Sequence, residues 1–127
     1  MKLKHLLIIN AVIAVVYGLG ELLVPATMFS MHGITNSPGA SLLGRYFGSA
    51  NIGIGLLAWF TRNVADPEAQ WAIIVAFLIY HIIGFIVSVS GTISSAMSIM
   101  GLVPVGIFLI LALGYAYFLF RHPQPAA

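Results

Sequence analysis

The chain has 127 residues, of which 61% are hydrophobic and only 6% are charged, and its formal net charge is +2. A soluble domain of this size could not cover so much apolar surface, because a large share of the residues in a small domain must face water. Five Lys and Arg residues are too few for a nucleic-acid-binding patch. The lack of cysteine in the sequence excludes disulfides, thiolate metal sites and cysteine nucleophiles.

Four apolar stretches account for nearly the whole chain. A transmembrane helix needs roughly 20 consecutive, mostly apolar residues. Stretches of this kind cover residues 6–24, 41–60, 71–90 and 101–120 and leave no room for a soluble domain. The sequence therefore predicts an all-α membrane protein, with residues 1–127 forming one membrane domain built as a four-transmembrane-helix bundle.

The first stretch carries its polar residues on one face. Asn10, Ala14, Tyr17 and Glu21 follow one another at the three- and four-residue spacing of a helix surface. The stretch is longer than the apolar core of a signal peptide and contains polar residues, so we expect it to be retained. A carboxylate at this depth is costly, and it therefore marks either a functional position or a residue with a partner.

The connection after the first stretch is predicted to contain a short interfacial helix over residues 26–32, which ends at Gly33. We expect its side chains Met28, Phe29 and Met31 to dip into the outer leaflet of the membrane. The starts of the second and third helices are indicated by an N-cap residue followed by proline. These dipeptides are Ser37-Pro38 and Asp66-Pro67, and Glu68 adds an acid to the first turn.

The second stretch combines small residues with a charge. One helical stripe carries Gly44, Gly48, Asn51 and Gly55. Glycines at this spacing allow two helices to approach closely in lipid, so we expect them to be packing residues. Arg45 lies four residues after Ser41, at a predicted depth of about 6 Å below the outer boundary.

Glu21 and Arg45 are predicted to lie at the same depth on adjacent antiparallel helices. Pairing is the least costly way to hold both charges in lipid, so the sequence predicts a Glu21–Arg45 ion pair. Two interpretations of this pair stay open. It is either a structural clamp between two helices or the polar wall of a pocket for a small molecule or a proton.

The third stretch places one histidine deep in the predicted membrane. Phe77, His81, Gly84 and Ser88 share a face. His81 lies about 15 Å above the flanking tryptophan, close to the height of about 12 Å for Asn51, so we predict that these two polar side chains pair. Three roles stay open for His81: an interhelical hydrogen bond, a proton relay, or a ligand to haem or a chlorophyll-type pigment. A bis-histidine haem would need a second histidine at this depth, and His5, His32 and His122 lie at surfaces or termini. We expect no cofactor and no metal.

Apart from Arg45, the basic residues lie at one predicted face of the membrane. They are Lys2, Lys4, Arg62 and Arg121. The connections on the other face, residues 25–40 and 91–100, contain no Lys or Arg. The positive-inside rule then predicts a multi-pass protein of the cell membrane with both termini in the cytoplasm. An aromatic belt is predicted at the same interface, formed by Trp59, Trp71, Tyr115 and Tyr117.

Two segments resemble a known family. The segment Tyr17-Gly18-Leu19-Gly20, followed by Pro25 and Gly33-Ile34, is similar to the opening of small DoxX-like four-helix membrane proteins. The segment Leu43-Gly44-Arg45-Tyr46-Phe47-Gly48, running to Gly53-Ile54-Gly55-Leu56, looks like the Arg-x-x-Gly…Gly-Leu-Gly pattern of an uncharacterised branch of that group. The resemblance covers roughly residues 17–62 and implies a four-helix bundle without assigning an activity. DoxX-like relatives are linked to quinol oxidation as accessory subunits, but this sequence lacks a metal or haem constellation that would carry that role over.

Three functions follow from these patterns. The first is a non-enzymatic accessory or scaffold subunit of a larger membrane complex, whose partners are the lipid bilayer and either another membrane protein or a second copy. The second is a small-molecule or proton-coupled transporter or binder. Its hypothetical pocket near the outer face is lined by Glu21, Arg45, Tyr17, Asn51 and His81. The third is an electron-transfer subunit that holds its cofactor through His81.

Overall fold

The computed structural model describes residues 2–94 and 96–121, which form five α-helices and a short 3-10 helix and no β-strand. α1 spans Leu3–Leu23, α2 spans Pro25–Met31 and α3 spans Pro38–Thr61. α4 spans Pro67–Ile93, the 3-10 helix spans Ile99–Gly101 and α5 spans Leu102–Arg121. The predicted all-α class is confirmed. The four predicted apolar stretches fall on α1, α3, α4 and α5.

Three helical segments in the described part of the chain are long and apolar enough to cross a membrane. They are Leu3–Leu23, Pro67–Ile93 and Ile99–Arg121. α3 is not one of them, although it has 24 residues. Its glycines and serines, together with Arg45 and Asn51, make it the least apolar of the four long helices.

Local sequence signals set the starts of two long helices. The Ser37 side chain accepts a hydrogen bond from the backbone N–H of Ala40 at 3.1 Å, and the Asp66 carboxylate accepts one from the backbone N–H of Ala69 at 2.8 Å. A proline occupies the first turn of α3 and of α4. Both predicted N-caps are therefore confirmed. α2 is followed by Gly33, whose φ of 74° lies in the left-handed region that glycine adopts at little cost.

α1 and α3 run antiparallel with their backbones in close contact. A Cβ atom built on Gly48 would lie 2.6 Å from the carbonyl oxygen of Gly18 and 2.6 Å from the amide nitrogen of Leu22. One built on Gly55 would lie 3.0 Å from the carbonyl oxygen of Ala11. The predicted role of these α3 glycines in helix packing is confirmed, because no side chain fits between the two backbones.

α4 and α5 form a second antiparallel pair, which packs through aromatic rings. Gly84 makes room for the ring of Phe108. Tyr115 is completely buried and stacks on Phe77 with ring centroids 5.3 Å apart and on His81 with centroids 5.4 Å apart. The prediction that Tyr115 belongs to an interfacial aromatic belt is therefore wrong, because this ring faces α4 and fills the core.

Two long-range hydrogen bonds connect the helix pairs. The Asn10 amide of α1 donates to the Tyr115 hydroxyl of α5 at 2.8 Å, and both side chains are buried. The Tyr80 hydroxyl of α4 donates to the Asn51 side-chain oxygen of α3 at 2.9 Å. The four long helices alternate in direction, so the start of α1 and the end of α5 lie at the same end of the molecule.

α2 closes the opposite end. Its Met28 side chain lies against Gly20 of α1, and its Phe29 ring lies against Gly44 of α3. Met28 and Phe29 are partly buried against the other helices, and their contact with the outer leaflet stays a prediction. Met31 is half exposed.

Candidate functional site

A cavity of about 210 Å³ lies between the α1–α3 pair and the α4–α5 pair. Its walls are mostly apolar, with Ile13, Ile107 and Leu111 among the lining residues, and α2 contributes Met28 and Phe29 at one end. An apolar cavity of about 150 Å³ accommodates benzene. This cavity therefore has room for one ring-sized molecule.

Three polar side chains form a connected chain on one side of the cavity. The Asn51 amide nitrogen donates to the Glu21 carboxylate at 2.8 Å, and the Asn51 oxygen accepts the hydrogen bond from Tyr80. All three side chains are partly buried and line the cavity. Both the nitrogen and the oxygen of the Asn51 amide are thus hydrogen-bonded, which fixes the orientation of the amide. The Glu21 carboxylate is the acceptor at the end of this series of hydrogen bonds.

Within residues 2–94 and 96–121, no cationic group lies within ion-pair distance of Glu21. Arg45 is exposed on the outside of α3 and does not line the cavity. The predicted Glu21–Arg45 ion pair is therefore wrong. The reason is helical phase: Arg45 follows Gly44, which packs on α2, and one residue turns the side chain by about 100° around the helix.

His81 is 1% exposed and is surrounded by aromatic rings. The ring centroids of Tyr80, Phe108 and Tyr115 lie 5.0, 5.9 and 5.4 Å from its own. Its Nδ1 lies 2.6 Å from the carbonyl oxygen of Phe77, so Nδ1–H donates there and Nε2 is left as an acceptor. His81 lines the cavity, where this acceptor is available to a bound molecule.

The predicted pairing of Asn51 with His81 is wrong. Asn51 bonds to Tyr80, the residue immediately before His81, while His81 bonds to the backbone of its own helix. The predicted polar face of the third stretch does not include Tyr80, although the sequence contains a signal for it. Tyr80 lies three residues after Phe77 and four before Gly84, and this is the spacing of one helical face.

The cavity brings together four of the five side chains that the sequence predicted for a polar pocket. Tyr17, Glu21, Asn51 and His81 line it, and Arg45 does not. His32, after α2, also lines it. The arrangement can accept hydrogen bonds from a small molecule and hold an apolar ring.

In the part of the chain that the structure describes, no group of three or more His, Cys, Asp or Glu residues is placed to hold a metal ion. A metal ion bound in this part of the chain would therefore need ligands from other residue types as well.

Comparisons with protein families, with curated proteins and with solved structures gave no match.

Proposed function

We propose that the protein binds a small amphipathic molecule in the cavity between its two helix pairs. The observation that carries this proposal is the Glu21 carboxylate, which faces the cavity and accepts a hydrogen bond from the Asn51 amide. Among the residues that the structure describes it has no ion-pair partner, although His32, which also lines the cavity, is close enough to interact with it electrostatically. A carboxylate removed from water without a counter-ion is costly even when it accepts a hydrogen bond. A ligand with an ammonium or another strong hydrogen-bond donor would offset that cost.

The remaining walls of the cavity suit the apolar part of such a ligand. Tyr17, Tyr80 and Phe108 offer aromatic surfaces, which attract cations as well as rings. The Nε2 atom of His81 offers a second acceptor deeper in the cavity. These features favour a molecule with one apolar ring and one cationic or donating group.

The proposal predicts a charge preference that depends on Glu21. Three probes of similar size test it on the purified protein in mild detergent: 2-phenylethylamine, 2-phenylethanol and phenylacetate. We expect the amine to bind roughly tenfold or more tightly than the alcohol, because a hydrogen bond to a charged group contributes about 1.5–3 kcal/mol. Glu21→Gln is expected to remove this difference, and titration calorimetry measures it.

The matched control for this experiment is Glu68→Gln, which removes an exposed carboxylate from the first turn of α4, away from the cavity. It is expected to leave the preference for the amine unchanged. The proposal fails if none of the probes binds. It also fails if the Glu21→Gln protein still prefers the amine.

The same proposal includes an arrangement in the membrane. All four long helices cross the bilayer as a bundle, with both termini in the cytoplasm and α2 at the outer face. The concentration of basic residues at one end supports this orientation. Arg62 there lies over the ring of Trp59, 3.9 Å from its centroid, and Arg121 lies over Tyr117, as expected for side chains at an interface. Membership of the DoxX-like group stays a prediction.

A second candidate function is that of an accessory subunit, and the outer face of α3 favours it. Arg45, Ser49 and Gly53 follow one another at four-residue spacing, and all three are exposed. A Cβ atom on Gly53 would meet nothing within 4 Å. An arginine that faces lipid is costly, so we propose that a helix of another membrane protein packs on this face and brings a carboxylate to Arg45.

A photo-crosslinking residue at position 49 tests the accessory role in native membranes. We expect it to capture a protein with an Asp or Glu in a membrane helix, and Arg45→Leu is expected to reduce this product several-fold. The same crosslinker at position 87, on the exposed side of α4, serves as the control. Capture of a second copy alone, or no product that depends on Arg45, would contradict the proposal.

A further inference from the structure

Four of the five methionines of the chain occur in two Met-x-x-Met segments, Met28 to Met31 and Met97 to Met100. The fold brings these distant segments together at the α2 end of the molecule. The backbone N–H of Ser98 donates to the carbonyl oxygen of His32 at 2.7 Å, which ties the residue after α2 to the middle of the second segment. The thioethers are the only sulfur groups in the chain, because it contains no cysteine.

A second cavity, of about 240 Å³, lies at this junction between α1, α2 and the start of α5. Its lining includes Met28, Met31, His32 and Met100. Among the described residues, no Asp, Glu, Lys or Arg lines it. The donor atoms of the side chains that line this cavity are therefore three thioether sulfurs, the imidazole nitrogen of His32 and the phenol oxygen of Tyr17.

His32 has the tautomer that a histidine ligand would need. Its Nδ1 lies 2.7 Å from the carbonyl oxygen of Met28, so Nδ1–H donates to that oxygen and Nε2 keeps its lone pair. Histidines that bind metals commonly donate their other ring N–H to a carbonyl or carboxylate, which fixes the tautomer and the ring orientation. A second contact, Ser98 Oγ to the carbonyl oxygen of Met31 at 3.5 Å, also joins the two segments.

We propose that this second cavity binds copper(I) through the thioethers of Met28, Met31 and Met100 and the Nε2 atom of His32. Soft thioether ligands select copper(I) over harder ions. Calcium and magnesium require oxygen ligands, and zinc sites are built from thiolate, imidazole and carboxylate. The proposal does not rest on the function proposed for the first cavity, although Met28 and His32 line both cavities. It includes no redox step.

The alternative is that these methionines only provide apolar surface to the membrane. Met31 is 51% exposed and Met100 is 43% exposed, which suits lipid contact as well. Substitution by leucine separates the two interpretations, because Met→Leu conserves volume and apolar character and removes only the sulfur.

The test is competition for copper(I) between the full-length protein in detergent and bathocuproine disulfonate, under anaerobic conditions with ascorbate. We expect one tightly bound equivalent. The triple variant M28L/M31L/M100L is expected to lose roughly 100-fold or more in affinity, and His32→Gln roughly tenfold. X-ray absorption of the copper-loaded protein is expected to show sulfur neighbours.

The matched control is Met97→Leu, because the Met97 sulfur lies against Gly91 and this residue does not line the second cavity. We expect it to bind copper(I) as the unchanged protein does. Thermal unfolding of each variant shows whether it is folded, and silver(I) titration gives a second readout. Unchanged affinity in a folded triple variant, an equal loss in Met97→Leu, or no copper(I) bound above the detergent blank would each overturn the proposal.

Discussion

Gly48→Ala is expected to destabilise the protein, whereas Gly53→Ala in the same helix is expected to leave it unchanged or make it slightly more stable. Alanine normally stabilises a helix by about 0.5–1 kcal/mol relative to glycine. At position 48 the added methyl group would lie 2.6 Å from backbone atoms of α1, at Gly18 and Leu22. A backbone cannot rotate away as a flexible side chain can, so α1 and α3 must separate.

Overpacking of this kind costs about 1–3 kcal/mol or more. We expect the difference between the two alanine variants to reach at least that range, because Gly53 is exposed and meets nothing within 4 Å. Unfolding in mixed detergent micelles measures both variants, and Gly48→Val enlarges the effect. Equal stability of the two alanine variants would contradict the close contact of α1 and α3.

Tyr115→Ala is expected to lower the free energy of unfolding by about 3–5 kcal/mol, the range for truncation of a large buried aromatic side chain. Tyr115 is completely buried, stacks on Phe77 and His81, and accepts the hydrogen bond from Asn10. Its loss removes the ring that joins α4 to α5 and the hydroxyl that joins α5 to α1. The control is Tyr117→Ala on the same helix, where the side chain is 44% exposed and the expected cost is small.

Tyr115→Phe separates the ring from the hydroxyl. It keeps the stacking and leaves the buried Asn10 amide without its acceptor, which costs about 1–3 kcal/mol. The double change Asn10→Leu, Tyr115→Phe is expected to cost less than the sum of the two single changes, because neither polar group is then left unpaired. If Tyr115→Ala and Tyr117→Ala unfold at the same temperature, the buried position of Tyr115 is wrong.

The sequence predicted the features that depend on one helix at a time. The all-α class, the N-caps at Ser37 and Asp66 and the inward face of α1 follow from hydropathy, capping chemistry and helical periodicity. Each of these signals is local. The polar stripe with Tyr17 and Glu21 lines the cavity for this reason.

Pairs between helices were predicted less well, because they depend on register and phase. Counting residues from the helix ends gave similar depths for Glu21 and Arg45, but depth does not say which way a side chain points. Arg45 is about 100° around the helix from Gly44, and Gly44 was already on the predicted packing stripe. The phase of that stripe therefore argues against the ion pair, although the depths of the two residues match.

The hydrogen-bond partner of Asn51 was predicted wrongly for the same reason, an error in helix register and phase. The register of α1 against α3 depends on Gly18 and Gly48 meeting closely, and this brings Glu21 to Asn51. On α4, a shift of one residue exchanges Tyr80 for His81 and turns the side chain by about 100°. Estimates from helix ends are accurate to about one turn, which is too coarse to choose between neighbours.

The low hydropathy of α3 has a consequence for biogenesis. A segment with Arg45, Asn51 and several glycines is expected to partition only weakly into lipid by itself. α1, in contrast, is long and apolar enough to cross a membrane alone. If α3 crosses the membrane, as proposed above, the close fit of Gly48 and Gly55 against α1 gives the emerging helix a preformed surface on which to pack. We expect the two segments to leave the translocon as a hairpin, so that a defect in α1 is seen first as failed insertion of α3.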